Sequence, residues 1–367
     1  MEIRKENILP IQNDKPELVF LFGAGASYVD GIPVQSDLIP QILNNSDLQL
    51  SKSNAGNQVR SFLRDNFSTK DRFPTLEEVF GFIDFHLNNE FSLSRTWTLK
   101  ELRDLKLNFT KVLHYVISSK TKQSEHFRNF WKKIKSNRKE IGVITTNYDT
   151  LIDESFDGIY GEYLIDYCID LINFRHPNNI TSFDWWIDPN KPVTQFGEKR
   201  PIRTKLLKIH GSLNWKYCNC CGQVGLTPWQ HGINLKTDSF DSFFESEITT
   251  CPFDNNRLSS LIQVPTHLKT NTNFIFNKLY DEAGYTVRSA KTLVIIGYSF
   301  PEADVHIRAL IKRSFNPENQ IIVVNKSTAK DLIYRYESLS KNVDYHEMTF
   351  ERFIRSRLFQ RIIKNGK

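Results

Sequence analysis

Leu18-Val-Phe-Leu-Phe-Gly-Ala-Gly-Ala-Ser27 is the stretch on which the fold turns. Its first five residues are apolar without a break, and a glycine ends the run. A short all-apolar run bounded by glycine is the pattern of a parallel strand buried on both faces. The chain has only 16 glycines in 367 residues, so two within Gly23-Ala-Gly25 stand above the background. Two glycines let the backbone approach a pyrophosphate, and the N–H groups that follow can face it. The motif lacks the third glycine of the usual dinucleotide fingerprint, and a tight strand-to-helix turn without a ligand reads the same way.

Four more apolar runs repeat the pattern along the chain. Ile141-Gly-Val-Ile-Thr-Thr146 leads into Asn147-Tyr-Asp149, and Leu206-Leu-Lys-Ile209 into His210-Gly-Ser212. Thr292-Leu-Val-Ile-Ile296 leads into Gly297-Tyr-Ser299, and Gln320-Ile-Ile-Val-Val324 into Asn325. Every run ends in small or polar residues. In an open parallel sheet the carboxyl ends of the strands form the ligand crevice, and five polar tips converging there are hard to explain by packing alone. The expected fold is therefore α/β with a Rossmann-like parallel sheet.

Between the first and second runs, residues 48–140 have helical spacing, as in Val59, Phe62 and Leu63, then Leu76, Val79, Phe80 and Ile83, then Val112, Leu113 and Val116. They are expected to form a helical insertion. Thr75 and Glu78 have capping-box spacing, and Glu77 and Glu78 read as helix-start residues. Ser36-Asp37 reads as a helix start with Pro40 in the first turn. Asp304 reads as the cap of a helix from Val305 to Lys312, with a catalytic role as the alternative. Residues 160–200 show no clear period, and Phe350 to Ile363 reads as one basic helix. The expected layout is an arm over 1–16, a catalytic domain over 17–330 and a C-terminal segment over 331–367. The catalytic domain holds the helical insertion and a small Cys-containing module at about 214–260.

Net charge is +6, and the basic stretches Trp131-Lys-Lys-Ile-Lys135 and Gly197-Glu-Lys-Arg200 are short and broken. This reads as a scattered solvated surface, and nucleic-acid binding is not indicated. No apolar run is long enough for a membrane helix. Glu2, Arg4, Lys5 and Glu6 follow Met1 where an apolar leader would stand, so a cytoplasmic placement is expected. Four of the five cysteines lie between 218 and 251. In a reducing compartment such a cluster points to metal before disulfide. Cys218-x-x-Cys221 is half of a zinc module, and Cys251 adds a single thiolate. Cys220, His231 or Asp254 are candidates for a fourth ligand. A cluster held by packing alone is the competing reading.

The strand ends carry the candidate chemistry. Asn147 can hold a ribose hydroxyl, a water or a carboxamide, and Asp149 can accept from a ribose hydroxyl. Both also fit a turn capping the next helix. His210 suits a general base near neutral pH, and equally a satisfied structural histidine.

Taken in order, Gly23-Ala-Gly-Ala-Ser27, Gly31-Ile-Pro33, Thr146-Asn147-Tyr-Asp149, Lys208-Ile-His210-Gly211, Gly297-Tyr-Ser299 and Val324-Asn325 resemble sirtuins. The ordered set is similar to the sirtuin-like branch common in bacterial anti-phage proteins. This resemblance implies NAD binding by Gly23, Ala24, Gly25, Ala26, Ser27, Ile32, Pro33, Thr146, Asp149, Gly211, Gly297, Ser299 and Asn325. It assigns catalysis to Asn147 and His210, and a structural zinc, if one is bound, to Cys218, Cys221 and Cys251. Deacylating sirtuins follow Gly-Ile-Pro with Asp-Phe-Arg, whereas this chain has Val34-Gln35-Ser36.

The departures favour an NAD hydrolase that releases nicotinamide and ADP-ribose, with NAD as substrate. An NAD-dependent protein deacylase and a non-catalytic NAD or ADP-ribose sensor are the alternatives. The resemblance further implies anti-phage defence by NAD depletion. Its regulation would come from homo-oligomerisation or from a partner such as a HerA-type ATPase.

Overall fold

The computed structural model describes residues 15–156, 163–172, 202–226, 233–240, 250–264, 273–301 and 304–365, less 45, 69, 121–122, 138–139, 170, 236–238 and 252. The expected arm over 1–16 lies almost wholly outside the described residues. So do most of 160–200, including Gly197-Glu-Lys-Arg200, and His231.

Seven parallel strands form the main sheet. In chain order they are β1 (Leu18–Phe22), β2 (Gly142–Thr145), β3 (Tyr163–Asp166), β4 (Ile202–Lys208), β5 (Thr292–Ile296), β6 (Gln320–Asn325) and β7 (Asn342–Glu347). Across the sheet they run β7-β6-β5-β1-β2-β4-β3. The chain builds outward from β1 on one side and then returns to build the other, so the topological switch falls between β1 and β5. In open α/β sheets the crevice outside the carboxyl ends at such a switch is where ligands bind.

The central strands are almost wholly buried: all five residues of Leu18–Phe22 and four of the five of Thr292–Ile296 are buried. Helices cover both faces. Phe20 and Phe22 pack edge-on against Phe130 of the helix Glu125–Ser136. Phe22 also packs edge-on against Phe350.

The insertion is helical as expected. Its larger members are Asn54–Asn66, α1 (Leu76–Asn88) and α2 (Leu99–Ser118). Thr75 and Glu78 form the full capping box: the Thr75 N–H donates to Glu78 Oε2 at 2.8 Å and the Glu78 N–H to Thr75 Oγ1 at 3.1 Å.

Several elements differ from the sequence reading. The helix containing Ser36 starts one residue earlier, at Gln35, so Pro40 sits in its second turn, opposite the Ser36 carbonyl. The C-terminal helix is two helices, Phe350–Arg355 and Arg357–Asn365. Ser356 is extended between them, and its hydroxyl accepts the Phe359 N–H at 3.1 Å, capping the second. The strand β7 lies beyond residue 330, yet pairs with β6 along its whole length.

A second, four-stranded sheet joins Ser259–Ile262, Gly211–Tyr217, Val224–Leu226 and Leu171–Ile172. The chain passes from β4 into this sheet through Ile209 and His210. Among the described residues no helix is long and apolar enough to cross a membrane.

Candidate active site

Five loops leave the carboxyl edge of the main sheet beside the switch point. After β1 the backbone turns at once into a short helix, Ala24–Ser27. The Gly25 N–H donates to the Gly297 carbonyl at 2.8 Å, and Gly297 sits at φ +62°. A side chain at Gly23 would stand 2.6 Å from the Tyr298 backbone; one at Gly297 would stand 2.3 Å from the Ala26 nitrogen. These glycines therefore let two strand-end loops touch backbone to backbone. The first loop forms a collar with the loop after β5, and the Gly25 N–H is engaged within it.

The collar is closed from the β6 side. Asn325 Nδ2 donates to the Tyr298 carbonyl at 2.9 Å, and the Tyr336 hydroxyl donates to the same oxygen. Ala26 and Ser27 are buried, Ala24 and Gly25 half-buried, and Ser299 exposed. Ile32 and Pro33 are buried behind the first loop, and Thr146 is half-buried beside it.

Asn147 is locked against this collar. Its amide donates to the Gly23 carbonyl and to Ser27 Oγ, each at 3.1 Å. Its Oδ1 is buried and, among the described residues, accepts no hydrogen bond. A buried amide oxygen without a partner costs stability and marks a place where a donor is missing. Asp149 turns the other way. Its Oδ1 accepts the Leu151 N–H at 3.1 Å, the cap-like turn that the sequence left open. Burial pushes its carboxyl up, opposed by the Lys208 charge and by hydrogen bonds from Leu151 and Ser27.

Beneath this loop, Lys208 is fully buried. It donates to the Asp149 carbonyl at 2.6 Å and pairs with Asp153 at 3.2 Å. The Tyr167 hydroxyl donates to the other Asp153 oxygen at 2.9 Å. Burial raises the neighbouring Glu154 carboxyl to about 7.

His210 stands where the chain leaves the main sheet for the small one. Gly211, at φ +81°, makes that turn, and an added side chain there would meet the Leu261 carbonyl at 2.1 Å. The His210 carbonyl accepts the Gln263 N–H at 2.8 Å, and the Tyr148 hydroxyl donates to the Gln263 carbonyl at 2.6 Å. The Asn147 loop and the His210 turn are thereby tied together.

The histidine faces a group that the sequence reading placed elsewhere. Asp304 stands at the N-cap of α4 (Val305–Ser314), but its side chain makes no cap bond. At φ −92°, ψ 34° its backbone is not in the extended conformation that aims a cap at the next turn. Its Oδ2 accepts the Tyr298 hydroxyl at 2.8 Å, and its Oδ1 lies 3.7 Å from His210 Nε2. His306, in the first turn of α4, brings Nε2 to 3.0 Å from His210 Nε2. Burial and the Asp304 charge both push the phenols of Tyr148 and Tyr280 up, so they remain hydroxyl donors.

The insertion also reaches this side. Glu77 is buried, and its Oε1 accepts from Gln35 Nε2. Its charge contributes to the rise at Tyr148. The only sequence signal for Glu77 was its place in a helix start, and for His306 its place two residues after Asp304.

In the small module Cys218, Cys221, Cys251 and Asp254 bring one donor atom each to within 4.8 Å of one another. The cysteines are free thiols, with Cys221 and Cys251 sulfurs 3.4 Å apart. Hydrogen bonds from the Asn256 N–H and the Cys218 thiol hold the Asp254 carboxyl well below the usual range. Three thiolates and a carboxylate suit a tetrahedral structural zinc, which these four residues would hold as a cross-link between two loops.

An open parallel sheet with a glycine collar at its switch point, beside a polar carboxyl edge, defines a Rossmann-like nucleotide-binding class of fold. The SIR2-like domain model matches residues 141–346, and the chain belongs to that family. The matched range runs from the start of β2 into β7 and includes Asn147, His210 and Asp304. Among solved structures, the chain is similar to Sir2Tm bound to a propionylated peptide, at 16% identity over 95% of this chain and 92% of that one, TM-score 0.44. It is also similar to a Sir2 homologue in complex with NAD, at 12% identity over 95% and 90%, TM-score 0.42. No curated protein matches the sequence at a significant level.

Proposed function

We propose that this protein hydrolyses NAD at the nicotinamide–ribose bond, giving nicotinamide and ADP-ribose. The observation that carries the reading is Asn147 with its buried, unpartnered Oδ1, fixed at the switch point beside His210 in a chain of the SIR2-like family. Of the residues the resemblance assigns to NAD, the collar of Gly23, Ala24, Gly25, Ala26, Ser27, Gly297 and Ser299 borders the crevice. Asn325 braces that collar. In this reading Ile32, Pro33, Thr146 and Gly211 would shape the crevice walls, and Asp149, which accepts the Leu151 N–H, fixes the turn after Asn147.

Cleavage of this bond passes through an oxocarbenium-like ribose. Asn147 Oδ1 accepts from a ribose hydroxyl or from the attacking water, which orients it. His210 takes the proton that leaves as the water oxygen bonds to the anomeric carbon. The Tyr148 ring, 6.3 Å from the His210 ring, holds apolar surface beside the histidine.

Hydrolysis is favoured over deacylation by the residues after Gly31-Ile-Pro33. Gln35 stands in the segment where deacylating sirtuins have Asp-Phe-Arg, and it is bonded to Glu77 of the insertion. The similarity to the anti-phage branch extends the proposal to defence by NAD depletion. The activity would then be governed by self-assembly or by a partner such as a HerA-type ATPase. Chromatography of NAD incubated with the protein, with and without an acylated peptide, tests the reaction. Equal nicotinamide and ADP-ribose without peptide is the expected result. Nicotinamide released only when peptide is present would replace hydrolysis by deacylation.

A further inference from the structure

The side chains His210, Asp304 and His306 converge on one point, and the collar and the Asn147 loop do not explain why. The donor atoms of all three lie within 4.8 Å of one another. The two Nε2 atoms are 3.0 Å apart, and Asp304 Oδ1 lies 3.7 Å from one and 4.0 Å from the other. Ligands about 2.0–2.1 Å from a tetrahedral zinc stand roughly 3.4 Å from each other. The observed triangle brackets that spacing.

Three further features fit a metal centre. Two imidazoles and one carboxylate are a donor set suited to divalent transition ions. The second oxygen of Asp304 is held by the Tyr298 hydroxyl, which leaves Oδ1 directed at the two rings, as an outer hydrogen bond orients a metal-binding carboxylate. His210 and Asp304 are almost fully buried, while the His306 side chain is 21% exposed. His306 also lines a cavity of about 380 Å³ between α3 (Phe274–Ser289) and α4, together with Tyr280, Asn277 and Arg313. That cavity provides a route in and room for an exchangeable fourth ligand.

We propose that His210, Asp304 and His306 form a binding site for a divalent transition metal ion of the zinc class, separate from the cysteine module. Resting on the NAD-hydrolase reading, the site has a consequence for regulation. A His210 Nε2 that ligates a metal has no lone pair left to accept a proton. Occupancy and base catalysis are therefore alternatives, and the ion acts as an inhibitor.

Cobalt(II) is the probe, added to the chelator-stripped full-length protein. Thiolate ligation at the cysteine module gives sulfur-to-cobalt charge transfer in the near ultraviolet. The site proposed here gives visible ligand-field bands without it. Wild type is expected to show an equivalent of cobalt of this second kind. His306→Ala and Asp304→Asn are each expected to weaken it by at least about 10-fold. Any thiolate signal should be unchanged in both, and an unaltered unfolding midpoint confirms their fold. Absence of thiolate-free bands in wild type, or their persistence in both variants, overturns the site. Separately, zinc is expected to suppress nicotinamide release by wild type. Cobalt bands with no nicotinamide release under any condition would retain the metal site and reject the hydrolase reading instead.

Discussion

The two halves of the crevice are built from different materials. On the β5 side, Gly23, Gly25 and Gly297 bring two loops into backbone contact, and the bracing groups are neutral: Asn325 and Tyr336. On the β2 and β4 side, Asn147 and His210 rest on buried ionisable groups: the Lys208–Asp153 pair lies beneath the Asn147 loop, and Asp304, reaching across from the loop after β5, faces His210. The first half fixes shape through steric exclusion. The second fixes chemistry through buried charge, which is expensive to maintain and sensitive to its partners. In the reading proposed here, one half holds the dinucleotide and the other acts on it.

The sharpest way to break this contrast is Lys208→Ala. It strands the Asp153 carboxylate in the interior and removes the anchor of the Asp149 carbonyl. Loss of about 3–5 kcal/mol in denaturant unfolding is expected; a loss below about 1 kcal/mol would mean that the polar half does not depend on its buried pair. Gly297→Ala attacks the other half. A Cβ there meets the Ala26 nitrogen at 2.3 Å in a left-handed conformation. About 1–3 kcal/mol of destabilisation is expected, with no dependence on pH. A neutral outcome would show that the collar relaxes freely.

The smallest effect belongs to Glu154→Gln, read by unfolding at several pH values. Burial raises the Glu154 carboxyl to about 7 in the folded chain, above its unfolded value. The folded state therefore holds the proton more tightly. This contribution is complete below about pH 4.5 and is lost as pH rises through 7. The glutamine variant is expected to gain about 1–2 kcal/mol on wild type between pH 5 and pH 8. A constant difference across that range would assign the pH dependence elsewhere.

The sequence revealed the buried parts of the sheet and concealed its margins. β1, β5 and β6 are covered on both faces, so their central residues form unbroken apolar runs and are easily seen. β7, Asn342-Val-Asp-Tyr-His-Glu347, is an edge strand with half-exposed residues, and its polar composition carries no such signal. β3 is four residues long and lies in a stretch without periodicity.

At the site, Asn147 and His210 were legible because they directly follow apolar runs. Asp304 was visible but assigned to capping, because its position at a helix start is local information. Its real orientation depends on the Tyr298 hydroxyl and a non-extended backbone. Glu77 was hidden for the same reason: the capping box explains Thr75 and Glu78, and nothing local says that the residue between them points inward to Gln35.

Nicotinamide release from NAD, compared among wild type, Asn147→Ala and His210→Ala, tests the central claim most directly. It should be followed from dilute to concentrated protein so that self-assembly is sampled. Wild type is expected to give nicotinamide and ADP-ribose in equal amounts. Each variant is expected to lose about 10²–10⁴-fold in rate with an unchanged unfolding midpoint. Intact NAD at every wild-type concentration, or either variant turning over like wild type, would contradict the account.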